Sequence, residues 1–417
     1  MFRYGALYVA LFASPAFAEN WPQFRGPTGM GQSTETNLPI TWGGKTNDNI
    51  LWKTPLPHVE AKGKPDNNQS SPIVWGEKVF VTTSYWPATK TQKEYPEHHV
   101  TCFSSEGKQL WDVTVEPGPW LLTDLRGGYT APTPATDGTY VYVVFGSGVV
   151  AAFDLDGKPI WRKEIPEPKK FDVAMGMSPI LYGGTVIILC DKVGNSSHLM
   201  ALDTKTGDVK WDVKRPKLNF AHTTPVLTKI KDKEQLLIGA AGQLQGVDPA
   251  DGKVLWWAAN DGDVPCPILA GGLVYCDSGR GGSFGIAVDP TGSGDVTKTH
   301  IKWKTDKKIG GLGSPIALGD YLYRMRDPGL LTGWKMATGE TVYEERYQGV
   351  SSTASAFAAE GRVYFASAGR SLVIKAGPKL ELLATNELGE DNGSSAAVSG
   401  GRIYLKGKNH LFAIRKN

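Results

Sequence analysis

One unit recurs along this chain and constrains its fold more than any other feature. It begins with a Ser/Thr-Pro step and an apolar strand, then passes through Gly into a Val-Tyr strand. A third strand ends Ala-x-Asp, a Thr-Gly-type turn follows, and a fourth strand carries Trp. The clearest copy runs from Ser178-Pro179 through Ala201-Leu202-Asp203-Thr204-Lys205-Thr206-Gly207 to Trp211. Other first strands open at Ser71-Pro72, Thr133-Pro134, Thr224-Pro225, Cys266-Pro267 and Ser314-Pro315, with weaker copies at Ser355-Ala356 and Ser395-Ala396. Starts spaced by 40 to 62 residues match the period of a four-stranded propeller blade. The expected fold is therefore all-β, an eight-bladed β-propeller of four-stranded antiparallel blades.

The last unit ends at Arg415 without a fourth strand of its own, and Asn49 to Lys53 has the pattern of the missing piece. That N-terminal strand is expected to close the eighth blade and remove an open sheet edge. The fourth-strand aromatics Trp111, Trp161, Trp211, Trp256, Trp303 and Tyr343, together with Trp52, are read as structural docking residues. The tight Thr-Gly turn lets an indole pack between neighbouring blades. Eight blades of about 45 residues occupy about 360 positions, so residues 19–417 read as one domain.

Residues 1–18 read as a signal peptide, with Arg3, an apolar run from Tyr4 to Phe12 and the Ala16-Phe17-Ala18 cleavage pattern. No later run approaches the length of a membrane span. The expected location is periplasmic or secreted, and the expected state monomeric. Lys and Arg total 45 against 42 Asp and Glu, with no basic block, which sets nucleic-acid binding aside. Cys266 and Cys276 flank a strand–turn–strand segment centred on Gly271, a placement compatible with a disulfide. The alternative is two buried thiols, the state expected for Cys102 and Cys190.

The string from Ala201 to Trp211 resembles the tryptophan-docking repeat of the pyrroloquinoline-quinone (PQQ) propeller superfamily. The chain as a whole resembles a family of exported PQQ-like propellers through Trp21 to Pro27, Ser70-Ser71-Pro72, Tyr129 to Pro134 and Lys375 to Pro378. The resemblance implies the fold and leaves activity open, because the superfamily holds both quinoprotein dehydrogenases and non-enzymatic propellers of outer-membrane assembly. The chain has no Cys-Cys pair of the kind many such dehydrogenases place against the quinone, no C-x-x-C-H for haem, and no lipidation cysteine at the cleavage site.

In a four-stranded blade, the loop into the first strand and the loop between second and third strands emerge on one face, around the channel mouth. Concave mouths are favoured ligand sites. Arg126, Arg280, Arg326 and Arg370 could present bidentate donors to an anion there, or be solvated or paired with carboxylates. Trp86, Trp120 and Tyr129, with Tyr85 and Tyr95, suit sugar stacking or peptide binding, or loop packing. His222 faces the mouth just before a first strand, with Asn219 in the same entry loop and Asp263 in the next. Asp261, Asp263, Asp172 and Asn219 are the candidates for calcium-assisted quinone binding, which would need six to eight oxygen ligands. His98-His99 point apart on an extended chain and make a poor metal pair. Gly281 to Gly285 matches G-x-S-x-G without the following helix that a nucleophile elbow requires. The expected function is a binding scaffold for an envelope protein or glycan, with no cofactor and no resident metal. A PQQ- and calcium-dependent dehydrogenase and a carbohydrate-binding or carbohydrate-active module are the alternatives.

Overall fold

The computed structural model describes residues 18–167, 174–192, 197–215, 218 and 221–417. Among the described residues, eight largely antiparallel sheets follow one another along the chain, and one helix of four residues, Pro57–Glu60, interrupts them. Blade 3 shows the repeat in its simplest form. Its strands are Ile180–Tyr182, Thr185–Cys190, His198–Asp203 and Val209–Lys214, hydrogen-bonded in that order. The apolar second and third strands are buried and the outer strand alternates, as expected where only one edge of a sheet meets solvent.

All eight first strands begin where the repeat places them, from Ile73–Trp75 in blade 1 to Ala397–Ser399 in blade 8. The closure is as expected. Ile50–Pro55 pairs antiparallel with His410–Arg415 and completes blade 8 from the other end of the chain. The docking tryptophans behave as one mechanical device. Trp52, Trp111, Trp161 and Trp303 each donate Nε1–H to a backbone carbonyl of the next blade, at Ser105, Leu155, Thr204 and Met336. Each lies flat on the turn glycine there. At Gly207, with φ 73°, a Cβ would stand 2.7 Å from the Trp161 ring, so both the backbone and the indole demand glycine.

Trp211 also lies against the glycine of the next blade, Gly252. Trp256 departs from the pattern, because its Nε1–H donates to Gln235 Oε1 in its own blade. In its place, Gly294–Asp295 reaches back from blade 5 and adds a short parallel strand beside Trp256 and Trp257.

The Ser/Thr of each Ser/Thr-Pro step has its own role. The backbone N–H of Ser71 donates to Thr133 Oγ1, that of Thr133 to Ser178 Oγ, and that of Ser178 to Thr224 Oγ1. Beyond Cys266 the chain of bonds continues through Ser314, Ser355 and Ser395 and returns to Ser71. Seven bonds of 2.8–3.0 Å thus encircle the channel, with Cys266 as the eighth member.

Cys266 and Cys276 are both free and buried. The turn is the two-residue loop Gly271–Gly272, and the register pairs Ile268 with Tyr275. Continued outward, that register sets Cys266 opposite residue 277, one position away from Cys276. A one-residue offset turns the two side chains to opposite faces of the blade. Cys266 faces the ring of hydroxyls, while Cys276 packs near Gly239 and Gly262 of blade 4.

Candidate functional site

The segment Trp21 to Gln32 closes one end of the channel. Trp21 exchanges two backbone hydrogen bonds with Val74 of blade 1, and Pro22 accepts from the N–H of Thr136 in blade 2. On the far side, Gln32 Nε2 donates to Ala317 O of blade 6, and Gly31 O accepts from Ala358 N of blade 7. These partners lie on the first strands, beyond the hydroxyl ring, so the segment crosses the axis at the face opposite the mouth. The Trp-Pro-Gln-Phe-Arg-Gly-Pro string is therefore a plug.

What remains is a blind cavity of about 470 Å³ that opens at the mouth. Phe24 of the plug lines it, as do Ser178, Thr224, Ser314, Ser355 and Ser395 of the ring. Gln69, Arg126, His222 and Leu312 line it nearer the opening, and no Asp or Glu is among the described residues of its wall. His222 Nε2 lies 2.9 Å from Ala174 O. A carbonyl only accepts, so Nε2 carries the proton. Arg126 is largely exposed and forms a bidentate pair with Asp124, which raises its pKa through that hydrogen bond.

The other proposed site residues go elsewhere. Trp86, Trp120 and Tyr129 are buried, with indole N–H groups donated to Glu94 O and Ile165 O and the Tyr129 hydroxyl accepting from Leu122 N. Trp86 and Tyr129 meet edge to face with Leu122 and Ala174 in a small apolar core below the mouth. They pack the long loops of blades 1 and 2 and offer no stacking platform. Asp263 is buried and accepts from Gly279 N at 2.8 Å. Arg326 is held by Glu344 Oε1 and Lys308 O, and Arg370 by Gln348 O. For Arg280 the backbone alone is described, and Asn219 and Asp172 lie outside the described residues.

The metal and nucleophile motifs resolve as structure. His98 bridges Ser84 Oγ and Ser147 Oγ, stacks on Phe145, and is pushed down to about 3 by burial. His99 points the other way, to Asp112. Ser283 lies inside the strand Arg280–Val288, with no helix after it. Among the described residues, no cluster of three or more His, Cys, Asp or Glu could hold a metal ion. A calcium-assisted quinone does not fit the described wall of this cavity, which lacks the carboxylates a calcium ion draws on. Among the described residues, no helix is long and apolar enough to cross a membrane.

Sequence reasoning missed Phe24, Leu312 and the ring hydroxyls. The recurring Ser/Thr before each first strand was the available signal for the ring. Phe24 and Leu312 carry no local signature, since their place depends on how the plug and a loop cross the axis.

Comparison with known proteins bears on the fold. BamB from Moraxella catarrhalis superposes with a TM-score of 0.62 at 12% identity, over 88% of this chain and 97% of that one. A europium-containing methanol dehydrogenase gives 0.67 at 10% identity, over 94% and 90%. The computationally designed Ika8 protein gives 0.55 at 11% identity, over 88% and 99%. At such identities the likeness is one of fold. No curated protein matches the sequence. The family model described as outer membrane protein assembly factor BamB matches residues 96–345, and the chain belongs to that family of PQQ-repeat propellers.

Proposed function

We propose that this propeller is an exported binding scaffold, holding a ligand or the tip of a partner protein in the channel mouth. The carrying observation is the blind cavity of about 470 Å³, floored by Phe24 of the plug and rimmed by Arg126 and His222. A rigid ring presenting loops around a closed pocket suits recognition, which loops on a fixed scaffold often serve. The cleavage pattern at Ala16-Phe17-Ala18 supports an envelope location. The buried state of Trp86, Trp120 and Tyr129 removes the aromatic basis for glycan stacking. That no carboxylate is among the described residues of the wall counts against calcium-dependent quinone chemistry.

The test is a calorimetric titration of residues 19–417 with PQQ and Ca²⁺, followed by an alcohol and sugar panel with an electron-accepting dye. The scaffold reading expects no calcium-dependent uptake and no dye reduction. Binding near one equivalent with turnover would replace it by a quinoprotein dehydrogenase.

A further inference from the structure

Resting on the mouth as the binding site, we infer that the neck of the channel receives an oxyanion, a carboxylate or phosphate group presented on the axis above Phe24. Three independent observations converge there.

The first is the hydroxyl ring. Each of its seven Oγ atoms accepts a backbone N–H from the preceding blade. A hydroxyl has one hydrogen to give, and none of the seven gives it to another atom among the described residues. Ser178, Thr224, Ser314, Ser355 and Ser395 turn toward the cavity. Several O–H donors around one cavity match the several lone pairs of an oxyanion.

The second is Arg25, which follows Phe24 in the plug and is 2% exposed. Its NH2 group donates to Met30 O at 3.0 Å and to Pro315 O, next to ring member Ser314, at 2.5 Å. Apart from the Cys266 thiol beside it, Nε and NH1 have no hydrogen-bond partner among the described residues. No carboxylate among the described residues compensates it. The other charged side chain acting on it is Arg324, a cation already paired with Asp277. Burial pushes the guanidinium down to about 10, the direction expected for a cation short of counter-charge.

The third is the wall. Its described residues include hydroxyls, Arg126 and no carboxylate, so the wall offers the buried cation no counter-charge. A neutral sugar could use the hydroxyls, but only an anion also answers the charge of Arg25.

Inorganic phosphate, glucuronate and glucose would be titrated by calorimetry into residues 19–417 at matched ionic strength. The same titrations would be run on Arg25→Met, which keeps length and removes charge, and on Leu312→Trp, which fills the opening. At least one of the two anions is expected to bind saturably, about tenfold or more tighter than glucose, with a similar loss in Arg25→Met. Binding of phosphate alone marks a phosphoryl ligand, and binding of glucuronate alone marks an acidic sugar or carboxyl-bearing ligand. Glucose binding as tightly as glucuronate, no anion binding, or an affinity unchanged by Arg25→Met overturns the inference. Where one of these results comes with binding that Leu312→Trp abolishes, the mouth reading still stands; binding indifferent to Leu312→Trp removes that reading too. If Arg25→Met fails to fold, the ranking of the three ligands on the unaltered chain decides.

Discussion

The seam between blades 8 and 1 and the seam between blades 4 and 5 face each other across the ring and are built differently. At the first, every device is present. Trp52 docks on Ser105 O, Thr54 Oγ1 donates to Gly107 O, and Arg402 reaches both Ser105 O and Glu106. Ser395 N closes the inner ring on Ser71 Oγ, and Ser394 Oγ donates to Ser70 O. Lys406, fully buried, donates to Ser70 Oγ at 2.6 Å and to Thr82 O. At the second seam, Trp256 bonds within its own blade, Cys266 replaces a ring hydroxyl, and a short parallel strand stands in for the docked indole.

The difference follows from connectivity. Blades 4 and 5 are joined by a short link, so the chain itself keeps them adjacent. Blades 8 and 1 are linked only through the closing strand Ile50–Pro55, whose partners in His410–Arg415 lie more than 300 positions away, so the hold on that strand rests on contacts alone. Closing so long a loop costs entropy that the extra docking offsets. Where connectivity does part of the work, the repeat is free to degrade.

Removing residues 19–53 should have the largest effect, because it deletes the plug and most of the closing strand. The expected outcome is loss of a single cooperative unfolding transition by calorimetry. An unchanged transition would show that blade 8 does not need its eleventh-hour partner from the N-terminus. Trp52→Ala should cost about 3 kcal/mol in urea unfolding, as for other large-to-small changes at packed aromatics. Replacing residues 290–299 by a short Gly-containing turn should cost less than Trp52→Ala, with faster amide exchange confined to Trp256–Asn260. A loss as large as that of Trp52→Ala would mean that the two seams share the load equally.

Lys406 sharpens the contrast through pH. Burial lowers its pKa to about 7, from 10.5 when unfolded. Between these values the unfolded chain binds the extra proton, so this group's contribution makes stability rise as pH climbs from about 7 toward 10. Asp66, raised to about 6 by burial, acts at lower pH and in the opposite sense, since the folded state holds its proton between 3.8 and 6. Lys406→Met should flatten the alkaline limb of the stability profile, and an unflattened limb would remove Lys406 as its source. Cys266→Ser should have the smallest effect, a gain or loss of about 1 kcal/mol or less, as a hydroxyl rejoins the ring. A larger loss would indicate that the Arg25–thiol contact matters to the fold.

Much of the architecture was readable from the residues because it repeats. The Ser/Thr-Pro step, the turn glycine and the outer-strand Trp report local requirements: an edge to bond, a backbone at positive φ and an indole to cover it. Even the closing strand was legible, since Ile50–Pro55 carries the outer-strand pattern out of place. The candidate site was legible as a face and illegible as a set of side chains. Arg126 and His222 do reach the mouth, whereas Trp86, Trp120 and Tyr129 turn inward and Arg326 is consumed by Glu344.

By itself, then, the sequence determined the number of blades, their order, the docking of most seams and the strand that shuts the ring. Each of these depends on neighbours within one repeat or on a pattern that recurs. Only the tertiary structure decided that Cys266 and Cys276 face apart, that Trp21 to Gln32 plugs the channel, and that Arg25 lies uncompensated beneath the mouth. Those outcomes hang on a one-residue register and on contacts between segments nearly 300 positions apart, as from Arg25 to Pro315, and no local pattern encodes either.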